Sequence, residues 1–229
     1  MEKKILCLIP AASAEAKNYA LMDLDGEALV VRAAKTALST GVMTTTAIYS
    51  NFVIAAPDGV AYIQTPDSLL HQTEACRVRH AIAALKKSGK DGYEAIAILS
   101  PLSPFISAQD IMETVNRLGG SAVSSMTIQK YRTDSLTHFR GGVKGNRSGL
   151  AGFWHRGSYG PKTGNLFAAN RALYVVKPEW LENSDDFITP RSTVWLMPHE
   201  RSLYIDGVWD FLAANAYMEE FNRLLGIQI

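Results

Sequence analysis

Tyr93-Glu94-Ala95-Ile96-Ala97-Ile98-Leu99-Ser100-Pro101-Leu102-Ser103-Pro104-Phe105-Ile106-Ser107-Ala108-Gln109-Asp110-Ile111-Met112 decides the fold. Ala95–Leu99 is a short apolar run bounded by Asp91-Gly92 before it and a proline pair after it, which predicts a buried strand. Pro101 and Pro104 break regular pairing and hold the chain extended. Ser107 is placed to cap a helix that opens at Ala108. A stiff loop at the carboxyl end of a central strand is where open α/β sheets bind ligands. Stripped of chemistry, the same letters describe a proline-rich connection between a strand and a helix.

Working outward, the flanks repeat the alternation. Ile5-Leu6-Cys7-Leu8-Ile9 is apolar throughout, as a central parallel strand requires, and Pro10 ends it. A helix is expected after the Asp25-Gly26 turn, from about Ala28 to Leu38, closed by Gly41. Thr45–Ser50 and Val60–Ile63 are strand candidates. Pro66-Asp67-Ser68 is read as the start of a helix reaching about Lys87, with Leu70, Ala75, Val78, Ile82 and Leu85 near a helical period. A helix over Ala108–Leu118, then strands at Ala122–Met126, Ala172–Val176, Val194–Leu196 and Leu203–Ile205, follow in order. A last helix is expected with Val208, Phe211, Leu212, Met218, Phe221, Leu224 and Leu225 on its apolar side. The pattern predicts a three-layer α/β fold, a mostly parallel, doubly wound Rossmann-like sheet, in a single domain over residues 1–229.

From Gln129 to Gly164 the pattern changes. This stretch holds eight glycines and seven basic residues against one acid, Asp134, and has no helical period. It is read as an inserted segment, and its charge bias makes it the best anion-handling part of the chain.

Composition narrows the classes. The chain has 229 residues, 47% of them hydrophobic, which supports a sizeable core. A net charge of +1 argues for neither a nucleic-acid nor a membrane partner. Cys7 and Cys76 fall in core patterns, and the apolar run near the amino terminus is too short for a span, so a cytoplasmic protein is expected. His71 and His80 have no third ligand nearby, which argues against zinc. Trp154, Trp195 and Trp209 are read as packing residues.

With these segments in order, the chain resembles the CMP-sialic acid synthetase group of cytidylyltransferases. Met197-Pro198-His199-Glu200-Arg201-Ser202-Leu203-Tyr204-Ile205-Asp206 is similar to the family's Met-Pro-x-x-x-Ser-x-Asp-Ile-Asp run, with Tyr204 in place of the first aspartate. Leu99, Pro101, Ser103, Pro104 and Asp110 fit the family's Leu-Gln-Pro-Thr-Ser-Pro-Leu-Arg loop and the helix after it, with Ser100 and Ile106 in the glutamine and arginine slots. Thr65-Pro66-Asp67-Ser68-Leu69 and His80-Ala81-Ile82 look like the Arg-Pro-x-x-Leu run and its His-Ala-Leu helix. Asn170 with Ala172-Leu173-Tyr174 resembles the Asn-Gly-Ala-Ile-Tyr strand. At the start, Ile9-Pro10-Ala11 is kept, Ala12 takes an arginine's place, Lys17-Asn18 stands for a Lys-Asn pair, and the glycine loop is missing. Tyr49-Ser50-Asn51 stands for a Ser-Thr-Asp.

The resemblance implies a reaction that joins a hydroxyl of an acidic nine-carbon sugar to the α-phosphate of CTP and releases pyrophosphate. It implies Mg²⁺ as cofactor, held by Asp206 with Asp210; capping of the last helix is the competing role for Asp206. Asp206 and Lys17 are the candidate catalytic residues. Pro10, Ala11, Ala12, Asn18, Ser100, Pro101 and Ser103 are the candidate nucleotide contacts, and Asn170, Arg156 and Arg201 the candidate sugar contacts. The inserted segment is expected to pair two subunits in a homodimer, with Arg156 or Lys162 serving the partner's site. A homologue that binds a nucleotide or CMP-sugar without turnover is the rival reading, given Ala12, Ser100, Ile106 and Tyr204 at expected functional positions.

Overall fold

The computed structural model describes residues 3–14, 18–131 and 166–224. The strands are β1 (Ile5–Pro10), β2 (Asp23–Leu24), β3 (Glu27–Ala28), β4 (Thr45–Ser50), β5 (Val60–Gln64), β6 (Ala95–Leu99), β7 (Ser124–Tyr131), β8 (Leu166–Val176) and β9 (Ser192–Leu196). The α-helices are α1 (Leu29–Ser39), α2 (Glu74–Lys87), α3 (Ala108–Asn116), α4 (Pro178–Asn183) and α5 (Val208–Leu224). Seven strands form one sheet in the order β5-β4-β1-β6-β8-β7-β9. All neighbours pair parallel except β8, which runs antiparallel to both β6 and β7.

The strand period of two sorts β1 between two cores. Ile5, Cys7 and Ile9 face a layer containing Val30, Ala33, Ala34 and Ala37 of α1 with Ile111 and Val115 of α3. Leu6 and Leu8 face the other layer, with Val78, Ala81 and Leu85 of α2 and Leu181 of α4. That is the expected three-layer sandwich, and it explains why β1 and β6 read as continuous apolar runs. Burial pushes the Cys7 thiol up to about 12, so it is an inert core group.

Asp25 (φ 58°) and Gly26 (φ 77°) form the two-residue turn of the β2–β3 hairpin, the conformation that asparagine, aspartate and glycine tolerate best. α3 opens with a capping box: the Ser107 hydroxyl accepts from the Asp110 N–H at 3.2 Å, and Asp110 Oδ2 accepts from the Ser107 N–H at 3.0 Å.

Several boundaries differ from expectation. Pro66-Asp67-Ser68 starts only a 3₁₀ turn over Asp67–Leu69, and α2 opens later, where Thr73 accepts from the Cys76 N–H at 3.2 Å. Leu203–Ile205 forms no strand; it is a loop after the 3₁₀ turn His199–Arg201, tied by Ile205 N–H to Leu102 O at 2.8 Å. α5 buries Ala214 and Met218, whereas Val208 and Leu212 face outward and Trp209 is 80% exposed, so Trp209 is not a packing residue. Gln129–Tyr131, placed in the inserted segment, belong to β7, and the remainder of that segment lies outside the described residues.

Candidate functional site

Chain order reverses between β1 and β6: β4 and β5 lie on one side of β1, and the later strands lie beyond β6. The turns leaving two such neighbours diverge and open a crevice at their carboxyl ends. A cavity of about 250 Å³ lies there. Its walls are the turn after β1 from Pro10 to Ser13, the turn after β6 from Ser100 to Leu102, and Tyr204–Asp206.

Each wall is held by named bonds. Ala11 N–H donates to Tyr49 O at 2.9 Å, continuing the β1–β4 pairing. Ala11 O accepts from Asn18 Nδ2 at 2.7 Å, and Asn18 Oδ1 accepts from the Ala20 N–H at 3.1 Å. Asn51 grips Ser13 twice, accepting from its N–H at 3.0 Å and donating to its carbonyl at 3.2 Å. Ser100 N–H donates to Ala172 O at 2.9 Å, and its hydroxyl accepts from the Leu102 N–H at 3.2 Å. Glu74, first residue of α2, reaches the cavity and is bonded by the Tyr49 hydroxyl and Arg77.

The third wall is set from below. Asp110 is fully buried and accepts from Arg201 Nε at 2.8 Å and Nη2 at 3.0 Å, from Trp195 Nε1 at 2.9 Å and from the Ser107 hydroxyl at 2.7 Å. Burial pushes its carboxyl up; the bonds from Arg201, Trp195 and Ser107 more than reverse this and hold it below the ordinary aspartate value. The Arg201–Asp110 pair therefore pins the 3₁₀ turn that feeds Tyr204–Asp206 onto α3.

The cavity thus gathers Pro10, Ala11, Ala12, Asn18, Ser100, Pro101 and Asp206 from the expected site residues. Ser103 lies under the loop, buried, and its hydroxyl has no partner among the described residues. Lys17, Arg156 and Lys162 lie outside the described residues. Asn170 and Arg201 do not line this cavity. Asn170 is buried, with Oδ1 accepting from the Thr127 hydroxyl at 2.6 Å and the Ala172 N–H at 3.2 Å, and Nδ2 donating to Ser202 Oγ and Met197 Sδ, each at 3.2 Å. Its polar atoms are spent holding a bulge, since the β7–β8 register shifts between Met126 and Ile128.

That bulge presents a residue the sequence reading passed over. Arg171 has φ 62°, a left-handed backbone unusual for a residue with a Cβ. Its guanidinium carbon lies 3.8 Å from the centroid of the Tyr204 ring, and Nη2 lies 3.4 Å from Asp206 Oδ2. The available signal was an arginine standing where the resembled Asn-Gly-Ala-Ile-Tyr strand has glycine. Burial pushes the Tyr204 phenol up, against the pull of Arg171, so it is a neutral hydroxyl at neutral pH.

These contacts bear on the expected Mg²⁺. A protein-held Mg²⁺ takes hard oxygen ligands, commonly one or two carboxylates. Asp206 already faces Arg171, and Asp210 Oδ2 accepts from the Asp206 N–H at 2.9 Å, so Asp210 and not Asp206 closes the start of α5. The phenol of Tyr204 is a poor ligand. No group of three or more histidine, cysteine, aspartate or glutamate residues is arranged for a metal among the described residues. Glu74, the other carboxylate lining the cavity, is bonded by Tyr49 and Arg77, so the side chains of the described residues do not fit a protein-anchored Mg²⁺.

A larger hollow, about 550 Å³, lies at the opposite end of the strands between Lys3, Gly41, Thr44 and Asn116. It sits at the amino ends of β1 and β4, away from the crevice that the topology opens, and is shaped by strand starts and a helix end.

No family model matches the chain, and no curated protein matches its sequence. Solved structures share its fold. One is 4-diphosphocytidyl-2C-methyl-D-erythritol synthase from Anaerococcus prevotii DSM 20548, with a TM-score of 0.65 and 13% identity over 95% of this chain and 96% of that one. Another is CMP:2-keto-3-deoxy-manno-octonic acid synthetase complexed with CTP, with a TM-score of 0.64 and 12% identity over 96% of this chain and 100% of that one. A second 4-diphosphocytidyl-2C-methyl-D-erythritol synthase gives 0.64 and 11%, over 95% and 99%. The class defined is therefore a fold: a mostly parallel α/β sheet shared with these synthases over 95–96% of this chain. No described helix is long and apolar enough to cross a membrane.

Proposed function

We propose that this chain is a nucleotidyltransferase that takes CTP in the β1–β6 crevice and transfers cytidylate to an acidic nine-carbon sugar of the sialic acid kind, releasing pyrophosphate. One observation carries the reading. The turn after β1, the proline-rich turn after β6 and Asp206 are far apart in sequence, yet they wall a single cavity at the switch point of the sheet. The fold supports it, since a neighbour of the same architecture was solved with CTP. Attack of a sugar hydroxyl on the α-phosphate depends on alignment and on balancing negative charge. The turns supply alignment through backbone groups fixed by Asn18, Asn51 and Ser100. A homodimer built through the inserted segment belongs to the same proposal.

A second reading, a nucleotide-binding homologue without turnover, is favoured by the pairing of Asp206 with Arg171. Losing one transition-state contact costs about two to three orders of magnitude in rate. The two readings separate in one assay. The chain is mixed with CTP, Mg²⁺ and a panel of nonulosonic acids, and pyrophosphate is measured. Release that depends on one of the acids supports transfer. No release, with calorimetric binding of CTP or CMP, supports the silent homologue. Neither release nor binding ends both.

A further inference from the structure

We propose that Arg171 is, among the described residues, a cation serving the crevice from its edge: its guanidinium stands against Asp206 where a divalent ion would otherwise be needed, and it binds the phosphate of a nucleotide directly, without Mg²⁺. The inference rests on the nucleotide site proposed above and goes on to how that site handles charge.

Three observations converge. Arg171 keeps a left-handed backbone (φ 62°), which is unfavourable for a residue with a Cβ. Such a conformation persists only where the surroundings over-determine it, and such positions cluster at functional sites. The surroundings here are the β8 bulge and the four hydrogen bonds of Asn170. Next, the guanidinium stands at the cavity's edge, although Arg171 itself does not line it. It stacks 3.8 Å above the Tyr204 ring, and Tyr204 and Asp206 both line the cavity. Stacking on an aromatic face restricts the rotamers of a long side chain and leaves its N–H edge available. The Arg171 side chain is 50% exposed, so that edge is open to a ligand.

The third observation is the local charge. Asp206, itself 74% exposed, is opposed by Arg171 at 3.4 Å. A pair this exposed is weak, so a phosphate can compete for the guanidinium. Arginine meets a phosphate with two parallel N–H donors, a stronger and more directional contact than a lone ammonium makes. A divalent ion entering at Asp206 would instead meet a positive group beside that carboxylate, and Glu74, the other carboxylate lining the cavity among the described residues, is already bonded by Tyr49 and Arg77. Tyr204 and Arg171 form a matched set: the phenol supplies the platform, and the guanidinium supplies the charge.

The test is calorimetric titration of the full chain with CTP and with CMP, once in EDTA and once in excess MgCl₂. Binding in EDTA with an affinity within about threefold of that in MgCl₂ is expected. Arg171→Gly removes the cation while suiting the left-handed backbone, so it should fold at least as well as the parent and lose tenfold or more in affinity. Asp206→Asn removes the competing anion and should raise affinity severalfold; a metal ligand would give the opposite sign. Binding that needs Mg²⁺ and is abolished in Asp206→Asn would overturn the proposal and leave the nucleotide site standing. Unchanged affinity in Arg171→Gly would overturn it too. No binding of either nucleotide in either buffer would remove the nucleotide site, and this inference with it.

Discussion

Arg201→Ala is expected to lower the unfolding free energy by about 3 kcal/mol at neutral pH, the low end of what stripping one partner from a buried ion costs. The low end applies because the Arg201 side chain is 32% exposed, so water can replace part of the lost charge, whereas Asp110 is fully buried. The variant leaves the Asp110 carboxylate with Trp195 and Ser107 only. The pH dependence separates this from a simple packing loss. In the parent, the Asp110 carboxyl is held below its ordinary value, so its contribution is present above about pH 4 and lost as pH falls through the lower, folded value. With Arg201 gone, the largest of the bonds that offset burial is lost and the carboxyl rises from its value in the parent. The deficit of the variant is then largest at neutral pH and shrinks on acidification. Urea unfolding of both proteins at neutral pH and near pH 4 reads this; a deficit that is constant or grows in acid would contradict it.

Asn170→Ala carries the second large effect, about 3 kcal/mol of stability together with a loss of nucleotide affinity. The substitution leaves the buried Ala172 N–H without its acceptor, and an unsatisfied buried donor costs about 1–3 kcal/mol. Thr127 and Ser202 retain bonds to Leu173 O and Pro198 O, so they add less. The cavity left behind adds the remainder. Because Asn170 fixes the bulge that aims Arg171, thermal midpoint and affinity for CTP should fall together. A destabilised protein that binds CTP as the parent does would separate the bulge from the site.

The sheet was largely legible because its central strands are buried on both faces. Nothing polar interrupts Ile5–Ile9 or Ala95–Leu99, and both strands lie where their runs do. The reversed direction of β8 was not legible, since a buried strand has the same composition whichever way it runs. Pro66-Asp67-Ser68 and Thr73 are both helix-start signals, and only packing of Val78, Ala81 and Leu85 against the sheet selects the second. Leu203–Ile205 has the alternation of a strand, but the β7–β9 edge has already ended at Leu196, and the segment packs on the proline loop instead. In α5, small Ala214 lies inward while larger Val208 and Leu212 face out, the reverse of what a size-weighted apolar stripe suggests.

The site was legible where it depends on backbone turns after parallel strands, as at Pro10–Ala12 and Ser100–Pro101. It was not legible where it depends on charges reaching across the fold. Arg201 carries the sign expected of a sugar contact, yet its partner, Asp110, comes ninety-one residues earlier in the chain. For Arg171 the sequence offers only an arginine in a glycine's place, and its backbone angle gives that substitution a meaning.

The crevice between the carboxyl ends of β1 and β6 is expected to hold a cytidine nucleotide, and a crystal structure of the chain grown with CTP would show it. The nucleotide should lie between the Ala11–Ser13 turn and the Ser100–Leu102 turn, with a phosphate oxygen in hydrogen-bond contact with Arg171. CTP found instead in the hollow beside Lys3 and Asn116, or an empty crevice at a CTP concentration that saturates binding in solution, would contradict it.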